Sequence, residues 1–142
     1  MKDYDVLKLE NQICFPLYAC AREVVKKYRP FLDEIDLTYT QYIAMMVFWE
    51  KGKCSFKELG EKLYLDSGTL TPVLKSLEKK GYVKRLRSTD DERQLTVEIT
   101  EEGERLKERA VNIPLKVAAC VNLDSEEAAG LYRTLYKILG NL

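Results

Sequence analysis

The residues able to do covalent chemistry are few. The chain of 142 residues has no histidine, which removes every Ser-His, Cys-His or His-metal site that it could build alone. Four cysteines remain, Cys14, Cys20, Cys54 and Cys120. No two stand at CxxC spacing, so no zinc site is expected, and no other metal or cofactor is called for. A cytosolic chain keeps such thiols reduced unless one is a redox sensor. Cys14 and Cys20 are six residues apart, about 9 Å along a helix, beyond the ~7 Å Cα limit of a disulfide. Nothing in the chain suggests an enzyme.

The charged residues carry a second chemistry. Lys and Arg number 23 and so do Asp and Glu, a formal net charge of zero. Mapped along the chain the charge separates: residues 1–50 carry −2, residues 51–93 carry +4 and residues 94–142 carry −2. Lys75–Arg87 holds six basic residues and one acid, Glu78. Such a run is either a solvated face or a footprint for a polyanion, because local potential attracts phosphate even when the total is zero. The longest apolar stretch, Tyr42–Trp49, is eight residues, far short of the ~20 that span a membrane. The acidic start, Met1-Lys2-Asp3-Tyr4-Asp5, is no signal peptide, so a cytoplasmic protein is expected.

The elements that must position these groups follow from periodicity and caps. Apolar residues at helical spacing predict a helix over 5–29, either starting near Phe15 or kinked at Pro16, and closed by Pro30. Thr38 with Gln41 forms a capping-box spelling for a second helix that stops at Gly52. Ser55 with Glu58 opens a short third helix to about Tyr64. Asp66-Ser67-Gly68-Thr69 caps a fourth, with Leu70, Val73, Leu74 and Leu77 facing inward and Gly81 as its stop. The period then shortens: Tyr82–Leu86 and Leu95–Ile99 predict a β-hairpin with a charged tip at Arg87–Arg93. Thr100 caps a fifth helix that meets Pro114, and Asp124 or Ser125 starts the last.

Short helix, turn, helix and hairpin is the order of a winged helix-turn-helix, in a mostly α chain with a small β-hairpin wing. Ser67–Lys80 is then the recognition helix. Its first turns offer Ser67, Thr69 and Thr71, with Lys75 further on, to the major groove of double-stranded DNA. Arg85, Arg87 and Arg93 on the hairpin can reach phosphates or the minor groove. The end helices, about 5–36 and 101–142, flank a module of about 53–100. Their apolar faces must be buried, either against a second copy of the chain or in a monomeric helical core.

Glu61–Lys75 resembles the DNA-reading segment of the MarR family, and more narrowly that of its OhrR-type organic-hydroperoxide sensors. Asp91-Glu92-Arg93 matches the family's wing signature. Leu9-Glu10-Asn11-Gln12-Ile13-Cys14-Phe15 resembles the segment bearing the peroxide-sensing cysteine, and Tyr28-Arg29-Pro30 and Leu37–Tyr42 follow the same pattern. The resemblance runs from about residue 9 to 113 and departs from the pattern at Pro16. It implies one domain over 1–142 that binds operator DNA as a homodimeric repressor and is released when organic hydroperoxide oxidises Cys14. It assigns hydrogen bonds to the thiolate to Tyr28 and Tyr39, and wing contacts to Arg85 and Arg93, with Asp91 orienting Arg93. It makes Cys120 of the other subunit a candidate resolving thiol; otherwise a small thiol caps Cys14. No lysine or histidine lies within a turn of Cys14, so tyrosine hydroxyls and a helix N-terminus are left to stabilise a thiolate. Tyr28 is 14 residues from Cys14, about 21 Å along a helix, so a Tyr28–Cys14 contact has to come from the partner. The rival is the same fold answering a non-oxidant ligand such as a phenolic compound.

Overall fold

A computed structural model describes residues 3–87 and 95–142, with Arg87 described by its backbone alone. Backbone proximity divides the chain into two units, Met1–Lys27 with Pro114–Leu142, and Tyr28–Ile113. Two 3-10 turns, Asp5–Leu7 and Leu9–Asn11, precede helix α1, Cys14–Asp33. They are tied by Asn11, whose side-chain amide donates to the carbonyl of Asp5 at 2.7 Å, and by Gln12, which donates to those of Val6 and Lys8.

Helix α1 starts at Cys14, so Pro16 falls in the first turn, where a missing N–H costs nothing. Pro30 does not end it. The helix runs through that proline to Asp33, because the stop lies further on: Leu37 N–H donates to the carbonyl of Leu32 and Asp36 N–H to that of Asp33. Asp36 sits in the left-handed region at φ 53°. This is a Schellman-type closure, and the two leucines that flank it are buried. Burial of Leu32, Ile35 and Leu37 outweighs the single hydrogen bond that Pro30 removes.

Thr38 caps α2, Tyr39–Lys51, with both halves of the capping box formed with Gln41, and Gly52 at φ 78° stops it. Ser55 caps α3, Phe56–Leu63, by accepting from the Glu58 N–H; only this half of the expected box forms. A left-handed Tyr64 turns the chain into α4, Ser67–Lys79, which Gly81 ends at φ 84°. Leu70, Val73, Leu74 and Leu77 of α4 are buried with Met45 and Phe48 of α2 and Leu59 of α3. That stripe is the core of the second unit.

The sheet has three strands, not two. β1, Lys53–Ser55, pairs antiparallel with β3, Leu95–Ile99, which also pairs antiparallel with β2, Val83–Arg87. β3 is thus central, with Cys54 opposite Val97 and both buried. Three residues, Lys-Cys-Ser, carry too little alternation to announce a strand. Thr100 caps α5, Glu101–Ala110. Its Gly103 lies so close to the base of β2 that a Cβ there would stand 2.3 Å from the Tyr82 carbonyl oxygen, and its own carbonyl accepts from the Trp49 indole at 2.9 Å.

Helix α6, Ile113–Val121, holds Pro114 in its first turn. α7, Ser125–Asn141, is opened by a full capping box between Asp124 and Glu127. None of its residues is buried, and Leu131, Tyr132, Tyr136 and Ile138 are exposed. Among the described residues no helix is long and apolar enough to cross a membrane.

Candidate nucleic-acid interface and cysteine site

The first turn of α4 is fixed by Asp66, which accepts from the Thr69 N–H at 2.7 Å. Hydrogen bonding from Thr69 holds the Asp66 carboxyl below its usual range. With the leucine stripe turned inward, Ser67, Thr69 and Lys75 are exposed and Thr71 is half-buried. Ser67, Thr71 and Lys75 follow at successive turns of one face. The Thr71 hydroxyl donates to the Ser67 carbonyl at 2.7 Å, which leaves its oxygen lone pairs as acceptors. Pro72 removes the donor that the Gly68 carbonyl would otherwise receive. The result is a polar face on a helix anchored by its opposite side.

Arg85 of β2 sits beside that helix, its Nε 2.6 Å from a carboxylate oxygen of Glu78 in α4. In sequence Glu78 is merely the lone acid in a basic run; seven residues and a turn hide the pairing. Lys84 pairs across the strands with Glu98 at 3.6 Å. The Arg87 side chain and Asp91 and Arg93 lie outside the described residues.

Cys14 is exposed at the first residue of α1. Its preceding residue, Ile13, has no side-chain acceptor with which to cap the helix. An open groove of about 720 Å³, lined by Lys8, Leu9, Glu10, Gln12, Phe15 and Pro16, borders this turn. Cys20, also on α1, and Cys120, on α6, are exposed. Cys54 is buried, and burial, with the Glu58 carboxylate adding to it, pushes its thiol up.

The two tyrosines expected at the thiolate stand together in the second unit. The rings of Tyr28 and Tyr39 lie 5.0 Å apart. Tyr42, the first residue of the longest apolar stretch, completes the cluster at 5.7 Å from Tyr28. Trp49 follows, edge-on to Tyr42. Burial raises all three phenols, Tyr42 to about 12. They are therefore neutral near pH 7 and able to donate.

The family model for the transcriptional regulator SarA/Rot matches residues 26–110. The organic hydroperoxide resistance transcriptional regulator of Bacillus subtilis is 46% identical over 139 residues, 98% of this chain and 95% of its own. The regulator SarZ of Staphylococcus aureus (strain USA300) is 45% identical over 127 residues, 89% of this chain and 86% of its own. Among solved structures, reduced AbfR bound to DNA superposes with a TM-score of 0.79 at 32% identity, covering 95% of this chain and 94% of that one. A disulfide-formed AbfR covers 94% and 93% at a TM-score of 0.66 and 32% identity. With a mostly helical fold, a small antiparallel wing sheet and these relatives, the chain belongs to the MarR family of winged helix-turn-helix transcriptional regulators and is not an enzyme.

Proposed function

We propose that this regulator is a redox-switched repressor that binds operator DNA as a homodimer and lets go when organic hydroperoxide oxidises Cys14. The observation that carries the reading is the placement of Cys14: an exposed thiol on the first residue of a helix, open to a peroxide. The close likeness to a hydroperoxide-resistance regulator supports it.

DNA is met by the polar face of α4, with Ser67, Thr69 and Thr71 toward base edges and Lys75 toward phosphate. Arg87, Asp91 and Arg93 extend the contact along the wing. Arg85 joins with its charge already offset by Glu78. The neighbour AbfR, solved on DNA in its reduced form, supports DNA binding by this fold.

Dimerisation comes from the terminal helices. No residue of the 17-residue helix α7 is fully buried within its own chain, and in proteins most helical stability comes from packing an apolar face. The exposed apolar residues of α7, together with Phe15, Leu17, Tyr18 and Val25 of α1, are the faces a second copy covers. Cys14 and Tyr28 lie on one continuous helix, about 21 Å apart at helical rise. The donors to each thiolate are therefore Tyr28 and Tyr39 of the partner subunit, kept protonated by burial.

In the reaction the Cys14 thiolate attacks the terminal oxygen of the hydroperoxide. The O–O bond breaks, the sulfur is oxidised to a sulfenic acid, and the alkoxide takes a proton and leaves as the alcohol. The Cys120 thiol of the partner subunit then attacks that sulfur, forming a disulfide and releasing water. The disulfide-formed state solved for AbfR supports such a step.

The test is a gel shift on the DNA upstream of the protein's own gene, with and without cumene hydroperoxide. Release by peroxide in the wild type, and DNA binding without release in Cys14→Ser, is the expected pair. Equal release in Cys14→Ser overturns the Cys14 switch. Persistence of a peroxide-induced cross-linked dimer in Cys120→Ser, on a non-reducing gel, removes Cys120 as resolving thiol.

A further inference from the structure

Among the described residues, the polar side chain buried with the apolar core of the second unit is that of Gln41, 7% exposed. Its oxygen accepts from the Thr38 N–H at 3.1 Å and from the Lys80 ammonium at 3.1 Å. Its amide nitrogen donates to the Ser76 hydroxyl at 2.9 Å. Lys80 in turn binds the carbonyl of Asp36, and its ammonium is 3.6 Å from the Asp36 carboxylate. Three segments therefore meet at one junction: the start of α2 and the C-terminal half of α4 on the Gln41 amide, and the left-handed turn after α1 through Lys80.

The position of this junction gives it a use. Thr38 immediately precedes Tyr39, whose ring rests on Tyr28. Ser76 lies one residue after Lys75 on the recognition helix, and Lys80 caps that helix's C-terminal end. Hydrogen bonds between these segments fix direction as well as distance. A buried network breaks in discrete steps, because a half-satisfied buried amide is costly.

We propose that Gln41 is the positioning residue that couples the tyrosine cluster to the recognition helix, so that a shift of Tyr28 or Tyr39 reaches α4 through Gln41, Ser76 and Lys80. In this form the inference deepens the redox reading above, since the tyrosines are the groups that meet the Cys14 thiolate there.

The test is a double-mutant cycle read by amide hydrogen exchange of residues 67–79 in the full chain, without DNA. Tyr39→Ala opens the cluster. In the wild-type background it changes exchange in α4 by about threefold or more. In Gln41→Met, which keeps the volume and loses every bond, Tyr39→Ala leaves α4 unchanged. In Gln41→Glu the coupling returns, because the carboxylate still accepts from Thr38 and Lys80 and the Ser76 hydroxyl turns to donate. A merely structural Gln41 would show no such rescue. Should Gln41→Met fold poorly, Ser76→Ala serves in its place and weakens the coupling in the same direction. An equal response of α4 in all backgrounds overturns the proposal. A second arm treats each variant with cumene hydroperoxide. If the cycle shows coupling and peroxide moves neither the tyrosines nor α4 in the wild type, the redox reading fails while the role of Gln41 stands.

Discussion

Replacing Gly103 by alanine tests whether the wing is locked to the helical body by a backbone approach. Elsewhere in a helix that change is favourable by roughly 1 kcal/mol. Here the new Cβ would lie 2.3 Å from the Tyr82 carbonyl oxygen and 2.7 Å from Ile99 Cγ1. The isoleucine carbon can turn aside; the carbonyl cannot, because it accepts from the Thr100 N–H at 3.0 Å. Overpacking against fixed atoms costs about 3 kcal/mol at the upper end of its usual range. The net loss is then about 2 kcal/mol, a fall in Tm of about 4–8 °C for a chain of this size. Thermal melts followed by circular dichroism at one fixed protein concentration measure it, since self-association would otherwise move Tm. Trp49→Phe removes the donor to the Gly103 carbonyl and should lower Tm less. The double variant should fall short of the sum, because both act on one junction. An unchanged or raised Tm in Gly103→Ala would refute the reasoning that α5 and the base of β2 are held in contact.

Three further outcomes follow from the same geometry. Tyr42 is raised to about 12 in the fold against about 10 in an unfolded chain, so the folded state holds its proton longer; stability is intact below pH 10 and falls as pH rises toward 12, and phenolate absorbance with parallel melts should show that fall, lessened in Tyr42→Phe. Cys54 is buried with a raised thiol, so a thiol reagent should label the native chain at Cys14, Cys20 and Cys120 and reach Cys54 only after unfolding; early labelling of Cys54 by mass spectrometry would contradict its place in the sheet. Lys75→Ala should flatten the dependence of log K for DNA on log salt by about 1, whereas Arg85→Ala should change it less, because Glu78 already holds that charge.

Local signals were legible where a cap or a stop is written in neighbouring residues. Thr38, Asp66, Thr100 and Asp124 each cap the helix they announce, and Gly52 and Gly81 stop theirs. The leucine stripe of α4 gave away its buried face. The end of α1 was not legible, because the Schellman turn around Asp36 draws its strength from buried leucines rather than from the proline that interrupts the helix. Strand β1 was hidden for a similar reason: its pairing with β3 spans more than forty residues and needs no alternation. The site divided in the same way. The polar turn of α4 is a local pattern, while the Arg85–Glu78 pair and the Gln41 junction join residues that only the fold brings together.

Pro16 has a mechanical consequence for Cys14. At the first turn of α1 the Leu17 N–H reaches the Ile13 carbonyl at 3.4 Å, a long bond, and Pro16 has no N–H to add a second. The ladder holds this end of the helix weakly, and the ring of Pro16 does part of its work by fixing φ at the helical value before any bond forms. The proline that looked like a flaw in the helix is a pin that sets where the helix begins, and so where the Cys14 thiol stands.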